Sequence, residues 1–411
     1  MRITLILCRQ HLGRMTRRHW RVQGVQIPID TGAERALQKY NVEILNPVDI
    51  MKIKHPFKKI EFEYLRPPPP LPHNRNHPNW SNTPCFTYKE QNALLEGVAQ
   101  AQILTKTIII ENDLPQKIKD LKEDTKEKID NIVQRIIRNS TMFDAHQELL
   151  PKLKNPDKPM FVFPRVYGLT TLRKVGNLAQ KLIHLCENLD GADTLCKRSM
   201  IYDGKVSVPL EKDSKLLQFN LTMNIMINSA YPLSPILAPD EGLNADLPSI
   251  EPCEPTISLS QDHIYVLEDI YPIDSESPWM NVHTIFIYDN PETIKNLTEL
   301  PVTESQVLAQ SMLKSFAAAA ACAKQRFGAY VKELPEPITI QCIQSDGKSF
   351  YFSVFQLNTL NLNGVTGTKN FWWCSPKLDL FEKAMYEAGI PTLTGYNPEV
   401  FKTMLAFFKH K

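Results

Sequence analysis

The sequence predicts an α+β fold: an antiparallel sheet or sheets with packed helices, preceded by an extended basic, proline-rich N-terminal arm. Three observations predict it. Apolar residues alternate with period two through Leu217, Phe219, Leu221, Met223, Ile225 and Ile227, and again through Phe350, Phe352 and Val354. Asp346–Gly347 separates the second run from Ile338, Ile340 and Cys342, and Asp203–Gly204 marks another hairpin turn. Strand–helix–strand successions are too few for a doubly wound parallel sheet. With 411 residues, 43% of them hydrophobic, the chain has ample material for a core. No stretch reaches 18 apolar residues, so no membrane span is expected.

Residues 1–29 read as a mitochondrial transit peptide. They hold Arg2, Arg9, Arg14, Arg17, Arg18 and Arg21, with no acid before Asp30. Arg14, Arg17, Arg18 and Arg21 share a helical face, with Leu12, Met15 and Val22 roughly opposite. The alternative is a basic arm kept in the mature protein. Residues 30–88 form the extended arm. Its Arg66–Pro84 segment holds seven prolines and is expected to join neither a helix nor a central strand. Such a strap is preordered for laying along a surface; the other use of the same residues is as a ligand for a proline-reading domain.

The body spans 89–411. Ala93, Leu94, Val98, Ala101 and Leu104 mark its first helix, and Ile118, Leu121, Ile129, Ile132, Val133, Ile136 and Ile137 a longer one with Lys and Glu on its outer face. Leu172, Val175, Ala179, Leu182, Leu185, Cys186 and Leu189 mark a third. A fourth opens on a capping box, Thr303 with Gln306, and its run Ala317–Ala321 lets a neighbouring element come close. Two short helices are expected at the C-terminus, the last capped by Asn397 with Pro398 in its first turn. A second proline-rich loop, about 230–256, is acidic.

The formal net charge of +2 is a cancellation. Residues 1–89 hold 15 Lys/Arg against 6 Asp/Glu, whereas 216–294 hold 12 carboxylates and no Lys or Arg. One end can sit on a polyanion that would repel the middle. The eight cysteines are scattered without close pairing, which fits reduced thiols in a packed interior.

No enzymatic signature survives inspection. Gly347, Lys348 and Ser349 resemble the end of a phosphate-binding loop, but Cys342 stands where its first glycine belongs. Gly364, Gly367 and Lys369 have the wrong spacing. His73, His77 and Cys85 offer three metal ligands without the fourth and without a close cysteine pair. There is no Gly-x-Ser-x-Gly elbow and no His-Glu-x-x-His pair. No catalytic residue, metal site or cofactor is assigned. What remains is binding. Lys52, Lys54, Lys58, Lys59, Arg66, His73, Arg75, His77 and Trp80 are the candidate RNA-binding residues, with cations for phosphates and a ring for unpaired bases; His55, Phe57, Phe62 and Tyr64 interleave with them. The alternative is a solvated basic tail whose aromatics pack on the body.

Two segments carry a resemblance. Leu94–Thr107 (LLEGVAQAQILTKT) and Phe350–Trp372 (FYFSVFQLNTLNLNGVTGTKNFW), with Phe355–Thr359 and Lys369–Asn370 inside the second, are similar to the family of mitochondrial large-subunit ribosomal protein thirty-seven. Weaker likeness runs through Leu182–Asn188, the alanine-rich helix and the proline strap. The resemblance implies a structural, non-enzymatic constituent of the mitochondrial large ribosomal subunit, in the matrix, among ribosomal RNA and other mitochondrial ribosomal proteins. It also implies pairing, as a heterodimer, with a homologous mitoribosomal protein once assigned to the small subunit. The other function kept open is a mitochondrial matrix nucleotide-binding factor or enzyme using the Gly364–Lys369 loop.

Overall fold

The computed structural model describes residues 30–46, 49 and 71–411, except 92, 112, 151, 153–156, 158–159, 161–163, 243–244, 254–258, 291–293, 295, 297–299 and 388. The transit-peptide reading and Lys52, Lys54, Lys58, Lys59 and Arg66 lie outside the described residues. The chain divides into a unit at 1–71 and a unit at 72–411. In the first, α1 (Ala33–Gln38) buries no residue. An exposed Arg35–Asp30 pair at 2.6 Å stands beside it, an interaction worth little in solvent.

The second unit runs β1 (Trp80–Lys89), α2 (Val98–Thr105), β2 (Thr107–Glu111), α3 (Gln116–Lys119), α4 (Glu127–Thr141), β3 (Glu148–Leu149), β4 (Tyr167–Gly168), α5 (Thr171–Asp190), α6 (Ala192–Leu195), β5 (Arg198–Lys212) and β6 (Lys215–Ser229). It continues through β7 (Ser260–Ile264), β8 (Asn281–Tyr288), α7 (Glu304–Phe327), β9 (Glu333–Ser345), β10 (Ser349–Thr359), β11 (Asn370–Cys374), β12 (Leu378–Asp379), β13 (Lys383–Glu387), β14 (Ile390–Thr394) and α8 (Pro398–Lys409). Ten strands form one sheet in the order β2-β11-β10-β9-β8-β6-β1-β7, with β12 on β10 and β5 on β6. Most pairs are antiparallel; β1–β6, β8–β9 and β11–β2 are parallel. The expected α+β class is borne out, as a mixed, mainly antiparallel sheet.

Two cores sandwich that sheet. The alanine-rich α7 and α2 cover one face, and α4, α5 and α8 cover the other. Period two explains the division: Phe355 and Leu357 of β10 enter the first core while Phe350, Phe352 and Val354 enter the second, so every residue of β10 is buried. Ala317, Ala318, Ala319 and Ala320 are all fully buried, the close approach expected of the alanine run. The capping box of α7 is present in both directions: Gln306 N donates to Thr303 Oγ1 at 3.4 Å and Thr303 N to Gln306 Oε1 at 2.9 Å.

Several local expectations are corrected. The long helix from Ile118 to Ile137 is broken into α3 and α4, and the intervening segment meets α8 through Lys402–Asp124 (2.9 Å) and Lys409–Glu123 (2.6 Å). Asp203–Gly204 is not a turn but lies within β5; the β5–β6 turn is Asp213–Ser214, both left-handed at φ 47° and 63°, the sense that a two-residue hairpin needs. The side chains of β6 change layer between Met223 and Ile225, level with Asp203, whose φ of 50° interrupts β5. Among the described residues only one C-terminal helix forms, α8, with Asn397 capping Glu399 N at 3.0 Å. The β13–β14 hairpin precedes it, turning at Gly389 with φ 83°. Finally, Trp80–Pro84 of the strap does enter a central strand. Pro84 falls in the break between Trp80 and Cys85, where the ladder to β7 lapses and a missing N–H costs least.

Candidate nucleic-acid interface

Of the predicted RNA-binding residues, His73, Arg75, His77 and Trp80 are described. Successive turns carry them: His77 N donates to Asn74 O at 3.0 Å, and Trp80 N to His77 O at 2.9 Å. His73 and Arg75 are exposed and His77 is partly so, with the two imidazole centroids 6.3 Å apart. Asn79 N donates to His77 Nδ1 at 3.1 Å, which leaves the proton of the neutral ring on Nε2. Trp80 is not set like the others. Its indole stacks on His263 at 4.8 Å and 15°, and His263 Nδ1 donates to Ser81 O at 3.0 Å, so one face of the ring is already covered. Cys85 is fully buried in β1, its Sγ 3.9 Å from Thr87 Oγ1, and does not join the histidines. Among the described residues no three His, Cys, Asp or Glu side chains cluster as metal ligands would.

The glycines that resemble phosphate-loop positions have other roles. Gly347, at φ 93°, closes the β9–β10 hairpin, where Asp346 Oδ1 accepts from Lys348 N (2.8 Å) and Ser349 N (2.7 Å). Lys369 is 2% exposed, and its ammonium donates to Gly242 O at 3.3 Å and Gly367 O at 3.4 Å, pointing into the protein. That geometry overturns the nucleotide-binding alternative for the Gly364–Lys369 loop.

The two resemblance-bearing segments meet instead in one buried polar network. Asn370 Oδ1 accepts from Asn358 N (2.8 Å) and Thr359 N (3.0 Å), and its Nδ2 donates to Thr105 O (2.8 Å) and Thr359 O (3.1 Å). Asn358 Nδ2 donates to Lys369 O at 2.7 Å. Gln356 Oε1 accepts from Ile236 N (2.8 Å) and Leu237 N (3.2 Å), and its Nε2 donates to Leu237 O at 2.7 Å, which fastens the acidic loop to β10. Lys106, left-handed at φ 51° at the end of α2, sends its ammonium to Asn361 O (3.3 Å) and Asn363 O (2.9 Å). Lys212 reaches Leu362 O at 2.7 Å. Burial lowers the pKa of Lys106, helped by the charges of Lys212 and Lys369; burial also lowers that of Lys212. Sequence reasoning missed this cluster, because a lysine that ends an apolar helix looks like any solvated cation. Each ammonium binds carbonyls, so the network ties loops together.

The network joins α2, β10 and β11 into one framework. Residues 295–411 match the family described as mitochondrial 28S ribosomal protein S30 (PDCD9). Over 356 residues the chain is 28% identical to large ribosomal subunit protein mL37 of Bos taurus, covering 83% of this chain and 78% of the relative. The mL37 of Rattus norvegicus is 29% identical over 349 residues, 81% and 77% of the two chains, and that of Gallus gallus 27% identical over 356, 83% and 77%. Over about four-fifths of its length, then, the chain is similar to a protein of the mitochondrial large ribosomal subunit. That relative is mL37, the likeness that the two segments implied.

Proposed function

We propose that this chain is a structural constituent of the large subunit of the mitochondrial ribosome and supports translation through RNA and protein contacts, without a catalytic step. The observation that carries it is the similarity to mL37 across about four-fifths of both chains; the two segments that carry the resemblance meet in the network that ties α2 to β10 and β11. His73, Arg75 and His77, together with Lys52, Lys54, Lys58, Lys59 and Arg66, would lie on ribosomal RNA, and the cation-free 216–294 region would face protein or solvent. A homologous mitoribosomal protein as heterodimer partner fits the match of residues 295–411 to the S30 family. Gradient sedimentation of mitochondrial lysate is the test. The protein should travel with the large subunit and resist moderate salt; migration as a free monomer would refute the proposal.

A further inference from the structure

The ten-stranded sheet ends at β7, which pairs with β1 on one side; among the described residues no strand takes its other side. An open edge presents backbone N–H and C=O groups to any extended chain that comes alongside, and lysine and proline are common guards against it. Leu259–Tyr271 (LSQDHIYVLEDIY) holds no Lys, Arg, Pro or Gly.

The strand also stops early. Tyr265, Val266 and Leu267 would lengthen β7 by composition, yet residues 265–269 form no ladder. The run is held at both ends. Ile264 lies opposite Trp80 of β1, and Ile270 exchanges hydrogen bonds with Ser207 of β5: Ile270 N donates to Ser207 O at 2.8 Å and Ser207 N to Ile270 O at 3.0 Å. Between these anchors Val266, Leu267, Glu268 and Asp269 are exposed, as is Gln261 on β7 itself. Strand-forming residues that stand in solvent without a ladder are a local preference that the chain by itself leaves unmet.

Charge selects what would meet it. Asp262, Glu268 and Asp269 carry the formal charges of the run, and Lys324 takes one oxygen of Asp269 at 3.0 Å. A second copy of the edge would bring carboxylates against carboxylates, and like charges opposite one another destabilise a strand pair. Phosphates of RNA would be repelled as well. An extended segment in which Lys or Arg alternates with apolar residues meets the edge, the apolar side chains and the carboxylates together.

We infer that the free edge of β7, with the run Tyr265–Asp269, is a docking site for an extended basic segment of a protein partner, which adds a strand to the sheet. The inference rests on the reading that the cation-free 216–294 region faces protein; it is tested away from the ribosome, so its failure leaves sedimentation with the large subunit untouched.

The test is fluorescence anisotropy of the full chain with a labelled synthetic peptide alternating Lys and Val. Saturable binding is expected, with Glu268→Lys and Val266→Ser each weakening it about tenfold. Both residues are exposed, so both variants should keep the wild-type melting temperature. A peptide alternating Lys and Pro has the same charge but lacks half of the backbone N–H groups, and should bind about tenfold less tightly. Absence of saturable binding, equal affinity for the two peptides, or equal affinity in Glu268→Lys overturns the inference. So does a single-stranded oligoribonucleotide whose binding Val266→Ser weakens to the same degree, or a wild-type dimer that Val266→Ser dissociates, since either gives the edge a different occupant.

Discussion

Asn370 uses its whole amide. Two backbone N–H groups point at Oδ1, two carbonyls take Nδ2, and the residue itself is fully buried. Asn370→Ala leaves four backbone groups facing a small void, and a buried group left unmet costs about 1–3 kcal/mol. We expect a loss of about 3 kcal/mol or more, read as a lower urea midpoint. Asn370→Asp should be as damaging, because a carboxylate would then face the carbonyls of Thr105 and Thr359. A second residue-scale expectation concerns protons. His283 and His410 enter the fold neutral: burial lowers them to about 3 and about 4, aided by Arg198 for His283 and by Lys117 for His410. The unfolded chain therefore binds more protons below pH 6.5, and the stability these groups carry above that pH is lost as pH falls toward 4 and then 3. Asp289 works in the opposite sense, since burial first and Asp346 next raise it to about 6. The informative measurement is thus the difference between wild type and His283→Gln in thermal melts from about pH 7.5 to about pH 5, where the variant should show the shallower acid slope.

Among the elements, α7 was the most legible. Its capping box and alanine run stand in the sequence, and both act in the structure as their chemistry dictates. Ala319→Leu should destabilise by about 1–3 kcal/mol, as overpacking does, in equilibrium denaturation, because Ala319 is fully buried between helix and sheet. The hairpin at Gly347 was equally plain. The break between α3 and α4 was not: the segment there meets Lys402 and Lys409, which reach Asp124 and Glu123 from nearly three hundred residues away. Period alone cannot report a distant lysine. The Asp213–Ser214 turn escaped notice for a different reason: it takes two left-handed residues without a glycine. At the candidate interface, composition found the exposed His73 and Arg75, but not that Trp80 is stacked on His263, a partner on another strand. Nor did it find Lys106, Lys212 and Lys369 as internal clamps, because type and spacing do not reveal burial. Local chemistry was readable; pairings across the sheet were not.

For the whole molecule, charge is distributed rather than balanced. Residues 1–89 gather 15 of the 47 Lys/Arg, and 216–294 have none. If the arm carries the RNA interface, binding of single-stranded RNA by the full chain should weaken steeply with salt. Replacing Lys52, Lys54, Lys58, Lys59, Arg66 and Arg75 by Ala should lower the slope of log K against log salt by about 0.7 for each phosphate that a cation no longer neutralises. An unchanged slope, measured by fluorescence anisotropy across a salt series, would remove the arm from the interface. The same substitutions should leave the urea midpoint of the body in place.

The bond between Asn370 and Thr105 spans 265 positions, and its consequence is one of timing. As the chain is synthesised, α2 and β2 emerge early, yet the strand that pairs with β2 and the amide that closes α2 come about two-thirds of the chain later. Long-range closures of this kind are slow and leave apolar strands unpaired while they wait. Thr107–Glu111, with its three consecutive isoleucines, is therefore a sticky edge for most of the protein's birth. Any chain halted before Asn370 would retain that edge permanently, a natural handle for chaperones and for proteolytic disposal.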